Sequence, residues 1–507
     1  MERRPLGRLF YADVMDQEEF IMNNIIKDLR AALAREDELN AELPDGSNIT
    51  VSADDAPDDA SEQVFNDEVE TLALENDIDI DEKVLEALLV NGEVLTDIDL
   101  ALESFKYSGL AMDDLTYTAL QRTYNKIAGE FRLPAIESMM VDYEGDRTLV
   151  RLATEATVTK RASDVLQKIV DTIMSLFAKI RDWYIRVFDQ AALQKRRALK
   201  IIKVAGSITG APVDANVTLK SVRTIGINNK PVQPSPFLNG MLTVANLTDK
   251  LTGDVAKEYN QILGELTTLT KTQVAAALEQ NEKRTDETLS TSRNDVEVPK
   301  VFVKNDDKMM LKLVADFKKM MEMLDLSKVP PEDDARFSAP NTVYHLSDML
   351  PGSKQLSTAY PDKPEETVSD LGKIKNSFGI GVIEVDLKDK GPAKEVAFDT
   401  LSIVDVKRIA EQCVKLCDHV ILYKTNYSET EKRTDRFLKE LKTLTRGQND
   451  IDATARQSIL SITSGATAIN KNMMNGTGRW IRYVMDLIVS TLEWCTESLA
   501  QYDHGKM

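Results

Sequence analysis

Histidine and cysteine are nearly missing from this chain, each occurring three times in 507 residues. With only His345, His419 and His504, histidine-based acid–base, triad or metal chemistry has almost no material. Three cysteines, Cys413, Cys417 and Cys495, cannot build a disulfide framework, and a reducing compartment is expected. Aromatic residues make up only 6% of the chain, which favours helix over sheet. No apolar run reaches the roughly 18–20 residues that span a bilayer, so no integral membrane association is expected. Nor does an apolar stretch follow Met1-Glu2-Arg3-Arg4-Pro5-Leu6, which argues against a secretory signal.

What is abundant is helix former and charge. Met, Leu, Lys, Glu and Ala are plentiful, and 42% hydrophobic content is ample for a core. A chain of this length is expected to form two or three domains. The charge is unevenly placed. Residues 1–155 carry 37 acids against 13 bases, a net of −24, whereas residues 156–507 carry 46 acids against 50 bases, a net of +4. Two pieces with different jobs are implied.

The acidic piece also carries a repeated pattern, Leu-Ala-x-Glu. Its copies are Leu33-Ala34-Arg35-Glu36, Leu72-Ala73-Leu74-Glu75, Leu100-Ala101-Leu102-Glu103 and Leu152-Ala153-Thr154-Glu155, and the last falls at the charge switch. A looser match, Ala135-Ile136-Glu137, follows Leu133-Pro134. Shorter Ala-x-Glu sequences also occur later, at Ala256-Lys257-Glu258, Ala277-Leu278-Glu279 and Ala393-Lys394-Glu395.

The pattern of residues predicts a mainly α protein: a long-helix bundle with a small α+β, hairpin-bearing insertion, preceded by a loosely ordered acidic helical arm. Within residues 1–155, helical spacing at Ile21, Ile25, Leu29 and Leu33 gives way to a turn-rich, Asp-rich linker near 44–63, and short amphipathic stretches resume over 64–130. The first half of the body, 156–329, opens with a helix that Ser163 can cap. Its apolar positions recur at helical spacing from Leu166 through Trp183 and Phe188 towards Ile202, and it stops at Gly206 to Pro212. A short strand or hairpin is expected between Val217 and Gln233. Helix follows over 237–290 with breaks at Gly240, Gly253 and Gly264, then a Met-rich helix over Lys304–Leu326.

The insertion, 330–400, shows strand-like alternation at Gly379–Leu387, a turn at Lys388–Pro392, and a returning strand at Glu395–Phe398. Two long helices complete the body over 401–507. One runs from Val404 to Leu444 and the other over 452–500, with possible breaks at Gly476 and Gly478. The short connection near Gly447 makes them antiparallel.

No catalytic constellation emerges, so no enzyme is expected, and no motif asks for a cofactor or metal. Cys413 and Cys417 share a helical face, but His419 points elsewhere, and buried thiols in a helix interface are the default. Gly379-Ile380-Gly381 and Asn475-Gly476-Thr477-Gly478 lack the flanking pattern of a phosphate loop. The basic run Lys195, Arg196, Arg197, Lys200 and Lys203 is a candidate DNA contact, set against the plainer reading of a solvated helix face.

The repeated Leu-Ala-x-Glu resembles sites cut by the prohead maturation proteases of large tailed bacteriophages, which cleave after Glu with a small or aliphatic residue upstream. An acidic leader ahead of a helical body with an aromatic-rich opening helix resembles the internal capsid (inner-body or internal head) proteins of those phages. That resemblance implies a structural virion protein in the capsid interior, passing through the host cytoplasm during assembly. Its pro-region would direct it into the prohead and be cut after Glu155, within Leu152-Ala153-Thr154-Glu155-Ala156, with Glu36, Glu75, Glu103 and Glu137 as weaker sites. Its partners would be the prohead protease, capsid or inner-body proteins and packaged DNA. The alternative is a non-catalytic helical adaptor whose acidic arm docks a partner.

Overall fold

The computed structural model describes residues 59–108, 122–126, 147–219, 222–228, 230–290, 307–329, 337, 342–362, 378–385, 395–445 and 453–502. The chain divides into two units, Met1–Ser61 and Glu62–Met507, and the second is described here.

Five long helices dominate it: α1 (Asp59–Ser108), α2 (Arg147–Ser207), α5 (Ala256–Ser290), α7 (Ile403–Thr445) and α8 (Ala453–Ala500). Shorter helices are α3 (Val222–Ile225), α4 (Pro234–Lys250) and α6 (Asp307–Glu322). The chain is thus the mainly α bundle that its composition implies.

The bundle is organised by a seven-residue repeat. Buried positions in α2 recur at Leu166, Ile173, Ile180, Val187, Gln194 and Ile201, with a second series at Val170, Phe177, Tyr184, Ala191, Ala198 and Ala205. In α7 the matching series are Val406, Cys413, Val420, Tyr427, Thr434 and Leu441, and Ile409, Leu416, Tyr423, Thr430 and Phe437. A repeat of 3.5 rather than 3.6 residues keeps two long helices in contact along their length. Ion pairs along the seam fix its direction: Asp171–Lys442 (3.4 Å), Arg181–Glu431 (3.9 Å) and Lys195–Asp418 (2.6 Å) step in opposite senses, so α2 and α7 are antiparallel. These side chains are part-exposed, so each pair is worth at most about 1 kcal/mol. A buried Ile, Leu or Phe contributes about 1.5–3 kcal/mol. Packing supplies the stability, and charge selects the register.

α8 packs antiparallel to α7, with Thr434 near Met474 and the Leu401 amide donating to Ser498 Oγ (3.1 Å). It lies parallel to α2, where the Tyr184 hydroxyl donates to the Met474 carbonyl (2.8 Å). α5 runs parallel to α7 through Asn426 to Thr252 O (2.7 Å) and Arg433 to Asn260 O (2.8 Å). The Met-rich α6 lies antiparallel on α5, burying Met310, Phe317, Met320 and Met321.

Several boundaries differ from expectation. The first body helix begins at Arg147, so Ser163 caps nothing. The short stretches expected over 64–130 are, from Asp59 to Ser108, one helix that starts inside the expected linker. Glycines do not break the helices. Gly240 and Gly264 lie inside α4 and α5, and Gly253 lies in the π turn Leu251–Val255 that joins them. The expected pairing of 379–387 with 395–398 is also corrected. β5 (Gly379–Glu384) pairs with β4 (Lys354–Pro361) in an antiparallel sheet of order β2-β3-β4-β5, with β2 at Ser327–Val329 and β3 at Thr342–Leu346. β6 (Val396–Asp399) pairs instead with β1 (Asn216–Leu219). Alternation specifies a strand but not its neighbour. Here the buried faces decide: Ile380 packs on α8 and Phe398 on Trp494 (rings 5.3 Å apart).

Gly476 lets the sheet meet the bundle. A Cβ there would lie 2.0 Å from the Ile380 carbonyl oxygen, whereas one at Gly478 would meet only side-chain atoms of Trp183 and Tyr184 at 3.3–3.4 Å. Backbone cannot yield as a side chain does. Gly476→Ala is therefore expected to cost about 2–4 kcal/mol and Gly478→Ala less than about 1 kcal/mol. Thermal melts of the two variants check this, and equal losses would contradict it.

Candidate functional site

The candidate cleavage sites fall in different settings. Glu36 and Glu137 lie outside the described residues. Leu152, Ala153, Thr154, Glu155 and Ala156 lie within α2, which runs through the charge switch without interruption, and Glu103 lies within α1; as side chains these six lie outside the described residues. Only Glu75 is seen in atomic detail, and its surroundings were not legible in the motif.

Glu75 sits where α1 lies on the body. The helix occupies a groove between the parallel helices α2 and α8 and is antiparallel to both. Contacts to α2 step backwards: Thr71 with Gln190 (2.9 Å), Glu75 with Trp183 (2.9 Å), Asp81 with Lys179 (2.9 Å). Those to α8 do likewise: Glu75 with Arg482, Glu82 with Lys471 (3.8 Å) and with Asn475, Asp97 with Gln457 (3.0 Å). Ile78, Leu85, Leu88, Leu95 and Ile98 are buried in the same core as the body helices. Over these residues the acidic region is therefore part of the body's core.

α1 follows the same seven-residue repeat, with Thr71, Ile78, Leu85 and Gly92 buried in register. Glu75 and Glu82 take the adjoining seam position that Leu89 and the buried Thr96 fill further along. The carboxylates are consequently part-desolvated. Burial raises Glu75 above its ordinary value, opposed by the Arg482 charge and the Trp183 indole N–H. Burial likewise raises Glu82, opposed by Lys471 and Arg479, and it raises Asp97. A carboxyl raised on folding stabilises the docked helix below the unfolded value near 4.5, and that contribution is lost as pH rises through the folded value. At neutral pH these carboxylates thus weaken the docking of α1. Cavities of about 160 Å³ and about 60 Å³ beside Glu75 agree with this.

The candidate DNA-contact residues divide. Lys195 is tied to Asp418. Arg197 is half-buried and close enough to Cys413 and Cys495 to favour their thiolates slightly. Arg196, Lys200 and Lys203 remain exposed along one side of α2. The three cysteines are buried and unpaired with one another. Burial pushes the thiols of Cys417 and Cys495 up to about 12, and Cys413 well above its ordinary value. Thiols held protonated neither ligate metals nor attack readily. His419 turns to Asp249 (3.1 Å). Among the described residues, no group of three or more His, Cys, Asp or Glu is disposed to hold a metal ion, and no helix is long and apolar enough to cross a membrane.

The family of phiKZ-like phage internal head proteins matches residues 36–496. The chain belongs to that family. No curated protein and no solved structure matches it. It is a structural protein of the phage head, located in the capsid interior, and the matched span includes both the groove and the helix α1 that fills it. The sequence features that pointed to the family were the charge switch and the Leu-Ala-x-Glu copies. The clamp residues Trp183, Lys471 and Arg482 carry no such signal, because an aromatic or a cation on a helix face reads equally well as core or solvated surface.

An endopeptidase that reads Glu must withdraw the Glu75 carboxylate from Arg482 and Trp183 and unwind the helix around it. Arg482→Gln removes a part-exposed, charge-assisted contact worth about 1 kcal/mol. Cleavage that follows local opening should then speed up roughly five- to tenfold after Glu75. Digestion of the purified chain with a general glutamyl endopeptidase, followed by mass spectrometry, measures this. An unchanged rate would show that the clamp does not guard the site.

Proposed function

We propose that the chain is a precursor of an internal head protein, delivered to the prohead by its acidic leader and cut there by the prohead protease after Glu155. The mature helical body then stays in the head with packaged DNA, in a non-catalytic role. The single observation that supports this most is where the charge lies. Net −24 sits before the Glu of the last Leu-Ala-x-Glu copy and net +4 beyond it, in a family whose members reside inside the head. Roughly two dozen excess negative charges repel incoming polyanion, and losing them before packaging removes that repulsion.

The architecture is compatible with a cut at this place. Severing α2 after Glu155 leaves Asp171, Arg181 and Lys195, which pair with α7, on the product side. The pairing of α2 with α7 would survive. The exposed stripe of Arg196, Lys200 and Lys203 would also remain on the product, where it offers three cations to DNA phosphates. Cleavage needs several residues extended in a protease cleft, so the helix around Glu155 must open first.

Mass spectrometry of purified particles tests the reading. Peptides beginning at Ala156, with residues 1–155 missing, are expected. Full-length chain in mature heads would overturn it.

A further inference from the structure

The groove between α2 and α8 is a built receptor for one kind of object, an acidic amphipathic helix. Its floor is apolar, its rim carries Lys179, Lys471, Arg479 and Arg482, and the Trp183 indole N–H points at a carboxylate. Its present occupant, α1, shows what fits. We propose that this occupant is exchangeable, and that the α1 of a second copy enters the groove in trans, joining copies by reciprocal arm exchange.

Three observations carry the proposal. First, α1 is anchored unevenly. Its later half buries Leu85, Leu88, Leu95 and Ile98, and at Gly92 a Cβ would already lie 3.0 Å from Ile169 and 3.4 Å from Leu460. Over residues 71–82 it buries only Thr71 and Ile78, and is otherwise held by charge pairs beside clefts of about 160 and about 60 Å³. A helix held this way opens far more readily than the α2–α7 seam. Second, the trans contact is identical residue for residue to the cis one, so exchange forfeits no interaction. It forfeits only the cis effective concentration, on the order of millimolar for a short flexible tether. Confinement of copies inside a head competes with that term. Third, thirteen residues separate Ser108 from the next described segment, 122–126, whose Tyr124 is buried in the body's core. At about 3.3–3.6 Å per residue their contour is at most roughly 45 Å, which sets how near a neighbouring copy must lie to exchange its α1. The exchange does not depend on cleavage, although a cut after Glu155 would end it.

Paired cysteines on the full-length chain, bridged by a short bismaleimide, read the exchange. Gln190 Nε2 donates to Thr71 Oγ1 across the groove (2.9 Å), so thiols at the two positions lie within reach of such a linker. The native thiols are buried and held protonated, so they do not compete. A chain carrying both Thr71→Cys and Gln190→Cys is expected to crosslink within itself at low concentration. A mixture of a Thr71→Cys chain and a Gln190→Cys chain is expected to give a linker-bridged pair, at a yield rising with concentration. Adding Lys471→Glu and Arg482→Glu to the Gln190→Cys chain should cut that yield at least fivefold, and Glu75→Lys with Glu82→Lys on the other chain should restore it. No intermolecular product at any concentration, or a yield indifferent to the charge reversals, would overturn the proposal. So would failure of the doubly substituted chain to crosslink internally, because α1 would then not occupy the groove.

Discussion

The pairing of α2 with α7 is the constraint on which the rest of the molecule depends. Two helices of 61 and 43 residues stay in contact only because their buried positions repeat every seven residues. That seam places Tyr184 against Tyr427, with ring centres 4.2 Å apart, and sets the floor on which α8 lies. α8 in turn supplies Gly476 to the sheet and Trp494 to the β1–β6 pair. The insertion has little core of its own. Phe378 and Ile380 reach Phe317 and the α8 backbone, so the sheet is mounted on the bundle rather than standing beside it.

The same repeat explains how one helix can belong to the core and still be separable. α1 obeys the seven-residue pattern, so it lies in the groove in register. It fills two seam positions with Glu75 and Glu82 instead of leucine. Burial works against those charges while Arg482, Lys471 and Trp183 work for them, and burial prevails. The helix is thus placed specifically while two of its seam positions count against it at neutral pH.

Much of this was legible in residues. The apolar positions from Leu166 to Phe188 announced α2, and Val404–Leu444 and 452–500 fell within a residue or two of α7 and α8. The charge switch and the Leu-Ala-x-Glu copies pointed to the right family. What was not legible depended on long-range partners. Alternation at Gly379–Leu387 marked a strand, but its pairing with β4 is decided by burial of Ile380 under α8. Gly476 and Gly478 looked like helix breakers because sequence cannot show a backbone approaching from 96 residues away, as Ile380 does. The partners of Glu75 and Glu82 were not legible because the cations that meet them, Arg482 and Lys471, come from the far end of the chain.

The central claim is that one durable seam carries a weakly held, acidic cover. Native-state hydrogen exchange on the full-length chain at neutral pH measures both at once. Amides of residues 75–82 are expected to exchange at least a hundredfold faster than those of residues 409–437 and 480–492, a gap of nearly 3 kcal/mol. Equal protection across all three segments would mean that α1 opens only when the whole body unfolds, and the account would be wrong.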